Sequence, residues 1–229
     1  MYILSYLCSV LFSYLYQLSS INKLSFNYFK LRSKCDNCHQ LLKWFELLPI
    51  ISFICLKGQS NCCGYRLNTN YFIGELLAFL IIPVSCYIPS SIHFSLFLTT
   101  SLFLLSMALY DIDTKTVNMN LIFILAIISL FISHVYIFTF LIFSLILHTC
   151  FLMMPNQIGY GDILLLSMLS LFYPYNFFCI FLLFALLTAM PFAFFTILIK
   201  KSSNLPFIPF IFIGYLFANY FYPYLLVYL

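Results

Sequence analysis

Charged residues are scarce in this chain. Asp, Glu, Lys and Arg make up 7% of its 229 residues, whereas hydrophobic residues make up 64%. A typical soluble domain has about 25% charged residues. The polar residues are too few to cover a water-soluble body of this size, which excludes an ordinary soluble domain. The composition predicts an all-α polytopic membrane protein that lies in a lipid bilayer.

Two features of a secretory signal peptide are missing from the N-terminal segment. The stretch from Met1 to about Ser20 is apolar, but it has no basic N-terminal region and no small-residue cleavage site. We therefore expect it to be retained as a first membrane span.

Apolar runs recur along the rest of the chain. A transmembrane helix needs about 20 mainly apolar residues, and the runs predict about eight such helices. The predicted spans are 2–22, 71–88, 93–111, 119–134, 136–154, 162–174, 176–199 and 207–228. They divide the chain into a first span (1–22), a long cysteine-containing loop (23–70) and a transmembrane core (71–229). Within the loop, residues 41–56 are apolar but too short and too interrupted to cross, which predicts an interfacial or re-entrant piece.

The basic residues predict the orientation. With eight spans, all ten fall in three connections on one side: the long loop, the connection after span three and the connection after span seven. Because cytoplasmic connections are enriched in Lys and Arg, this side is expected to be cytoplasmic and both termini to lie outside. The ten residues are Lys23, Lys30, Arg32, Lys34, Lys43, Lys57, Arg66, Lys115, Lys200 and Lys201.

Acidic residues are rarer still, since the chain has only six. Asp162 follows two glycines in the stretch Gly159-Tyr160-Gly161-Asp162, at the start of the sixth span. An ionisable residue at membrane depth costs about 2.5–3.5 kcal/mol on insertion scales and points to function. Asp111 and Asp113 end the third span at the same predicted membrane face. Two carboxylates held close can act as base and acid together, which suits hydrolysis of a peptide bond without metal.

Only one member of the Asp111/Asp113 pair can face Asp162, because residues two apart point to nearly opposite sides of a helix. Asp111 directly follows an apolar run and is expected to be the more desolvated, so we predict Asp111 and Asp162 as the pair. Asp113 is expected to be solvated or to cap the turn, and it is the alternative acid. Carboxylates that simply lie in headgroup water, or that carry protons or cations across the membrane, are the competing interpretations.

Several motifs stand in an order that is typical of one protein family. They are 34–38 followed by 48–53, Gly58 and 63–64; 71–77 with Glu75; 110–113; 159–162; and 205–214. The fourth resembles the Gly-x-Gly-Asp motif of intramembrane aspartyl proteases, the class that includes presenilin. Together they resemble the bacterial type IV prepilin peptidases, including the competence-associated members.

The resemblance implies an aspartic endopeptidase of the bacterial inner (cytoplasmic) membrane. It would cut the leader from prepilins or pseudopilins at the cytoplasmic face, in type IV pilus assembly, competence or protein secretion. The family's catalytic pair corresponds to Asp111 and Asp162, with Gly159 and Gly161 supporting the catalytic loop. Many members also N-methylate the new N-terminus with S-adenosylmethionine. Two departures stand out: Asn118 where the family usually has Pro, and Leu164 where it usually has Lys.

The nine cysteines are odd in number, which argues against a disulfide framework. Cys35 and Cys38 form a Cys-x-x-Cys pair of the kind that binds zinc. The second pair is irregular, because Ser60 stands at its expected leading position and Cys62 is adjacent to Cys63. We predict a structural zinc ion bound by Cys35, Cys38 and Cys63, with Cys62 or His39 as the fourth ligand. Free or redox-active thiols are the alternative.

Two other functions remain open at this point. A membrane thiol oxidoreductase could use Cys35 and Cys38, although a reducing cytoplasm disfavours it. A carboxylate-dependent transporter would be expected to show inverted hydropathy repeats, which are not evident. No nucleic acid is expected as a partner. His93, His134 and His148 are assigned no role.

Overall fold

The computed structural model describes residues 1–21, 33–35, 37–86, 92–155, 159–200 and 205–226, and the side chains of all of these except 197–200. Within these ranges the protein is all-helical and has no β-strand, only two isolated β-bridges in the long loop. A 3-10 turn covers Trp44–Leu47. The α-helices are α1 (Tyr2–Ser19), α2 (Ile51–Cys55), α3 (Thr69–Ser85), α4 (Phe94–Thr114), α5 (Met119–Ile132), α6 (Ile137–Met153), α7 (Tyr160–Ser170), α8 (Tyr175–Lys200) and α9 (Ile208–Leu225).

The predicted all-α fold is confirmed. Apart from the short α2, each described α-helix corresponds to one predicted span, in the same order. Three of the described helices are long and apolar enough to cross a membrane: α4, α8 as far as Thr196, and α9. Four others, α3, α5, α6 and α7, are apolar but shorter. The number of eight crossings therefore stays a prediction.

Helix α4 forms the centre of the bundle. It packs against α1, α3, α5 and α9, and every residue from 100 to 109 is buried. A helix that is apolar all round belongs in the interior. Its small polar residues do not disturb that burial, because Ser101 and Ser106 donate their hydroxyls to carbonyls one turn earlier in the same helix. Asp111 thus lies in the last turn of the most buried of the described helices.

Two glycines allow close contacts between helices. A Cβ at Gly74 of α3 would collide with the ring of Phe12 in α1 and with Leu109 in α4. A Cβ at Gly214 of α9 would lie 2.5 Å from the backbone nitrogen of Ala185 in α8. Small residues at such points let helices approach closely in membranes.

The helix ends that are predicted to share one membrane face meet in the structure. Asn118 donates its side-chain amide to the carbonyls of Ser19 and Ile21, at 2.8 Å each, and so joins the start of α5 to the end of α1. At the other end of the bundle, the Tyr136 N–H donates to the Leu171 carbonyl at 2.7 Å. This alternation agrees with the order derived from charge. Lys23, Lys30, Arg32 and Lys201 lie outside the described residues.

Candidate active site

Asp111 lies in the last turn of α4 and is only 4% exposed. The first turn of α9 points at it. The Ile208 N–H donates to Asp111 Oδ2 at 3.3 Å, and the Phe207 N–H lies near the same carboxylate. Pro209, next in α9, has no N–H to contribute. Because helix N-termini stabilise anions, α9 supplies a site suited to a carboxylate at this position.

Asp162 lies in the first turn of α7, behind the two glycines. A Cβ on Gly159 would stand 3.0 Å from Asp162 Oδ2, so the glycine leaves room for the carboxylate. A Cβ on Gly161 would stand 2.8 Å from Val117, so this glycine lets α7 pack on the connection between α4 and α5. Neither glycine has a positive φ. Their role is therefore to let neighbouring atoms pack closely.

The two predicted acids come together at this end of the bundle. Asp111 and Asp162 are near enough for the charge of one to act on the other. The charge of Lys115 acts on Asp111, and Lys115 ends α4 in a left-handed conformation with φ of 55°. Its N–H donates to the Asp111 carbonyl at 2.8 Å. Among the described residues, no side chain or backbone group hydrogen-bonds the Asp162 carboxylate.

Asp113 faces a different set of partners. It is exposed, as predicted, but its carboxylate accepts hydrogen bonds from the Tyr16 hydroxyl at 2.7 Å and from the side-chain amides of Asn68 and Asn70. These bonds join the end of α4 to α1 and to the start of α3. Simple solvation or turn capping was therefore an incomplete expectation, and no pattern in the sequence predicts these partners.

Glu75 is a further buried acid whose role the sequence did not reveal. It is 8% exposed in α3 and accepts the Ile50 N–H at 2.7 Å. Ile50 has a φ of 63°, which is unusual for a β-branched residue. Glu75 thereby holds the apolar loop piece against the bundle, while Trp44 in the same piece is 75% exposed. An acid inside an apolar span was the available signal.

Four cysteines of the long loop gather into one cluster. The Sγ–Sγ distances are 3.7 Å for Cys35–Cys63, 3.2 Å for Cys38–Cys62 and 3.9 Å for Cys62–Cys63, and all four sulfurs lie within 4.8 Å of one another. Sulfurs bound to one tetrahedral zinc ion at 2.3 Å would be about 3.8 Å apart. The cluster can therefore hold a metal ion. His39 is not part of this cluster. Cys62 and Cys63 are adjacent in the sequence, yet both of their sulfurs belong to the cluster.

Hydrogen bonds set the acidity of these thiols. Ser60 and then Asn37 lower the pKa of Cys63 to about 6, and the backbone N–H groups of Cys38 and Asn37 lower the pKa of Cys35. The pKa of Cys62 is raised to about 12 by its contact with Cys38. The thiolate is the metal-binding form of cysteine, and these hydrogen bonds favour it at Cys35 and Cys63.

The N-terminal third of the chain is similar to known proteins. Residues 6–88 match the family described as Bacterial Peptidase A24 N-terminal domain. This segment contains α1, the cysteine loop and α3. The resemblance to type IV prepilin peptidases is confirmed.

Individual proteins that the chain is similar to share one name, prepilin leader peptidase/N-methyltransferase. The chain is 31% identical over 85 residues to the prepilin leader peptidase/N-methyltransferase of Vibrio cholerae, covering 37% of this chain and 33% of that protein. It is 32% identical over 85 residues to that of Dichelobacter nodosus (36% and 30%) and 41% identical over 46 residues to that of Bacillus subtilis (20% and 18%). The matches thus span a third or less of each relative's length. No solved structure matches the chain.

The family match ends at residue 88, before Asp111 and Asp162. The roles of these two residues therefore stay predictions. The apolar helices and the relatives together indicate a membrane protein. Neither the family match nor these relatives support the thiol oxidoreductase or the transporter.

Proposed function

We propose that this chain is a membrane aspartyl endopeptidase that removes the leader peptides of type IV prepilins or pseudopilins. The observation that carries the proposal is the proximity of Asp111 and Asp162, which lie on separate helices and are near enough for the charge of one to act on the other. The names of the relatives supply the substrate class. Cleavage takes place at the cytoplasmic face of the bacterial inner membrane, the face to which the basic connections are assigned.

The surroundings of the two acids divide their roles. Asp111 receives N–H groups from the start of α9, so it serves as the ionised base that takes a proton from the attacking water. Asp162 serves as the acid that gives its proton to the carbonyl oxygen of the scissile peptide. The resulting tetrahedral intermediate collapses when the proton on Asp111 passes to the departing amine nitrogen and the C–N bond breaks. One hydroxyl of the intermediate returns a proton to Asp162 as the new N-terminus is freed. The two protons belong to the pair as a unit.

The substrate fits the surroundings of this site. A prepilin leader is short and polar and would lie among the loop's basic residues, such as Lys34, Lys43 and Arg66. The hydrophobic segment that follows the leader would pack against the membrane helices. This arrangement brings the bond between the two segments to the membrane surface, at the depth of the acids.

A methyl transfer is proposed as the second activity. The relatives' names include an N-methyltransferase, and S-adenosylmethionine would supply the methyl group to the amine that cleavage releases. We further propose that the cysteine cluster holds a structural zinc ion bound by Cys35, Cys38, Cys62 and Cys63. Structural zinc contributes directly to the folding of small loops.

Co-expression with a prepilin-like substrate in bacterial membranes tests the proposed activity. The expected result is removal of the leader, read from the mass of the processed N-terminus, with one added methyl group if the transfer also occurs. An intact leader in membranes that contain the folded, zinc-loaded wild-type chain would contradict the peptidase. Correct cleavage without added methyl mass would contradict only the transfer.

A further inference from the structure

The first cysteine hairpin has a regular backbone frame. Lys34 and Leu41 form its β-bridge. Inside it, the Cys35 N–H donates to the Gln40 carbonyl and the His39 N–H donates to the Cys35 carbonyl, both at 2.9 Å. His39 turns the chain with a φ of 57°. Cys35 and Cys38 occupy the first and fourth positions of the turn.

The second hairpin repeats the same frame. Gln59 and Arg66 form its bridge. The Ser60 N–H donates to the Tyr65 carbonyl at 2.8 Å, and the Gly64 N–H donates to the Ser60 carbonyl at 2.9 Å. Gly64 makes the turn with a φ of 70°. Each bond links the same relative positions as its counterpart in the first hairpin, so Ser60 corresponds to Cys35 and Cys63 corresponds to Cys38.

This correspondence leaves one corner of the metal site without its cysteine. A regular pair of hairpins would bring thiols from positions 35, 38, 60 and 63, but position 60 is a serine. Its side chain is buried, and its hydroxyl lies 3.2 Å from Cys63 Sγ. Cys62 instead directs its sulfur to within 3.2 Å of Cys38 Sγ. Neither Cys62 nor Cys63 has a positive φ, so both sulfurs reach the cluster without left-handed backbone at either residue.

We infer that Cys62 has taken over the fourth ligand position of the tetrathiolate site from position 60, and that Ser60 remains as a hydrogen-bond donor to the Cys63 sulfur. The inference deepens the proposed zinc site and does not depend on the peptidase. Donors around a ligand raise metal affinity by about 10–100-fold, which gives the retained serine a measurable role.

The metal content of the full chain, purified in detergent under reducing conditions, tests this inference. Wild type is expected to hold one zinc ion per chain by elemental mass spectrometry. Cys62→Ser should lose zinc, and Ser60→Cys/Cys62→Ser should regain it, because the frame of the first hairpin then recurs in the second. Cys55→Ser is the matched control, since Cys55 is an exposed thiol of the same loop outside the cluster and its loss should leave zinc unchanged.

The double variant also guards against misfolding of Cys62→Ser, because both chains lack the same thiol. Full zinc in Cys62→Ser, or no zinc in the double variant, would overturn the inference. So would a metal-free wild type that contains a Cys38–Cys62 disulfide. Ser60→Ala should keep its zinc but release it to a chelator about 10–100-fold more readily, and unchanged release would remove the role given to Ser60.

Zinc content separates this inference from the proposed peptidase. Asp111→Asn should retain one zinc ion per chain while losing cleavage. Loss of the zinc inference would leave the two carboxylates and their assay untouched.

Discussion

At the residue scale, the chain uses its few acids in distinct ways. Asp111 binds the start of α9, Asp113 joins three side chains, and Glu75 holds the backbone of the loop. Each has an identified partner from a distant part of the sequence. These few acids thus have specific hydrogen-bond partners, as expected for ionisable groups at membrane depth.

Substitutions at Glu75 test its role as a positioning residue. Glu75→Leu removes the acceptor of the Ile50 N–H, and an unsatisfied buried donor costs about 1–3 kcal/mol. Glu75→Gln keeps a side-chain oxygen that can accept the same bond. We expect hydrogen exchange at the Ile50 amide to be at least about tenfold faster in Glu75→Leu than in Glu75→Gln. Equal protection in the two variants would show that Glu75 does not hold the loop.

At the element scale, the candidate active site is built from helix ends. The end of α4 carries Asp111, the start of α7 carries Asp162 and the start of α9 provides backbone N–H groups. Close packing sets these ends in place, as at Gly161 against Val117 and at Gly214 against α8. Displacement of α9 is therefore expected to act on the site from a distance.

Gly214→Ala tests that dependence. Its new methyl group would meet the α8 backbone, and overpacking of this kind costs about 1–3 kcal/mol. We expect a lower thermal midpoint in detergent and slower leader cleavage. Ile213→Ala is the matched control, because Ile213 is exposed on the same helix and should change neither quantity much. Similar behaviour of the two variants would contradict the role given to the α8–α9 contact.

The helices could be predicted from the sequence, but several contacts of the site could not. Long apolar runs predicted the helices. The positions of Asp111 and Asp162 at the ends of two predicted spans, on the same membrane face, predicted that these two acids form a pair. The bond from Ile208 to Asp111 joins residues 97 positions apart and leaves no periodic trace in the chain. The place of Cys62 in the cluster likewise depends on how two hairpins pack. The spacing of the residues alone did not decide whether Cys62 or His39 is the fourth ligand.

At the scale of the whole molecule, the bundle has two unlike ends. One carries the acids and the cysteine loop, whereas the connection between α5 and α6 lies at the other. Helix α1 packs against α3 and α4, which places the predicted first-span segment against the core helices. The predicted orientation puts the acid-bearing end in the cytoplasm.

Native cysteines allow this orientation to be measured. Cys86 is exposed at the far end of α3, whereas Cys55 is exposed in the loop. A membrane-impermeant maleimide added to intact spheroplasts should label Cys86 at once and Cys55 only after permeabilisation. Cys86→Ser should abolish the early labelling. Early labelling of Cys55 would reverse the orientation and remove the cytoplasmic site.

The central claim is that Asp111 and Asp162 together cleave the leader, and leader removal by single asparagine variants tests it most directly. Asp111→Asn and Asp162→Asn keep side-chain size but cannot exchange the required protons, so each should abolish cleavage while the chain stays folded and zinc-loaded. Asp113→Asn, two residues along the same helix, should still cleave. Substantial cleavage by either of the first two variants would contradict the account.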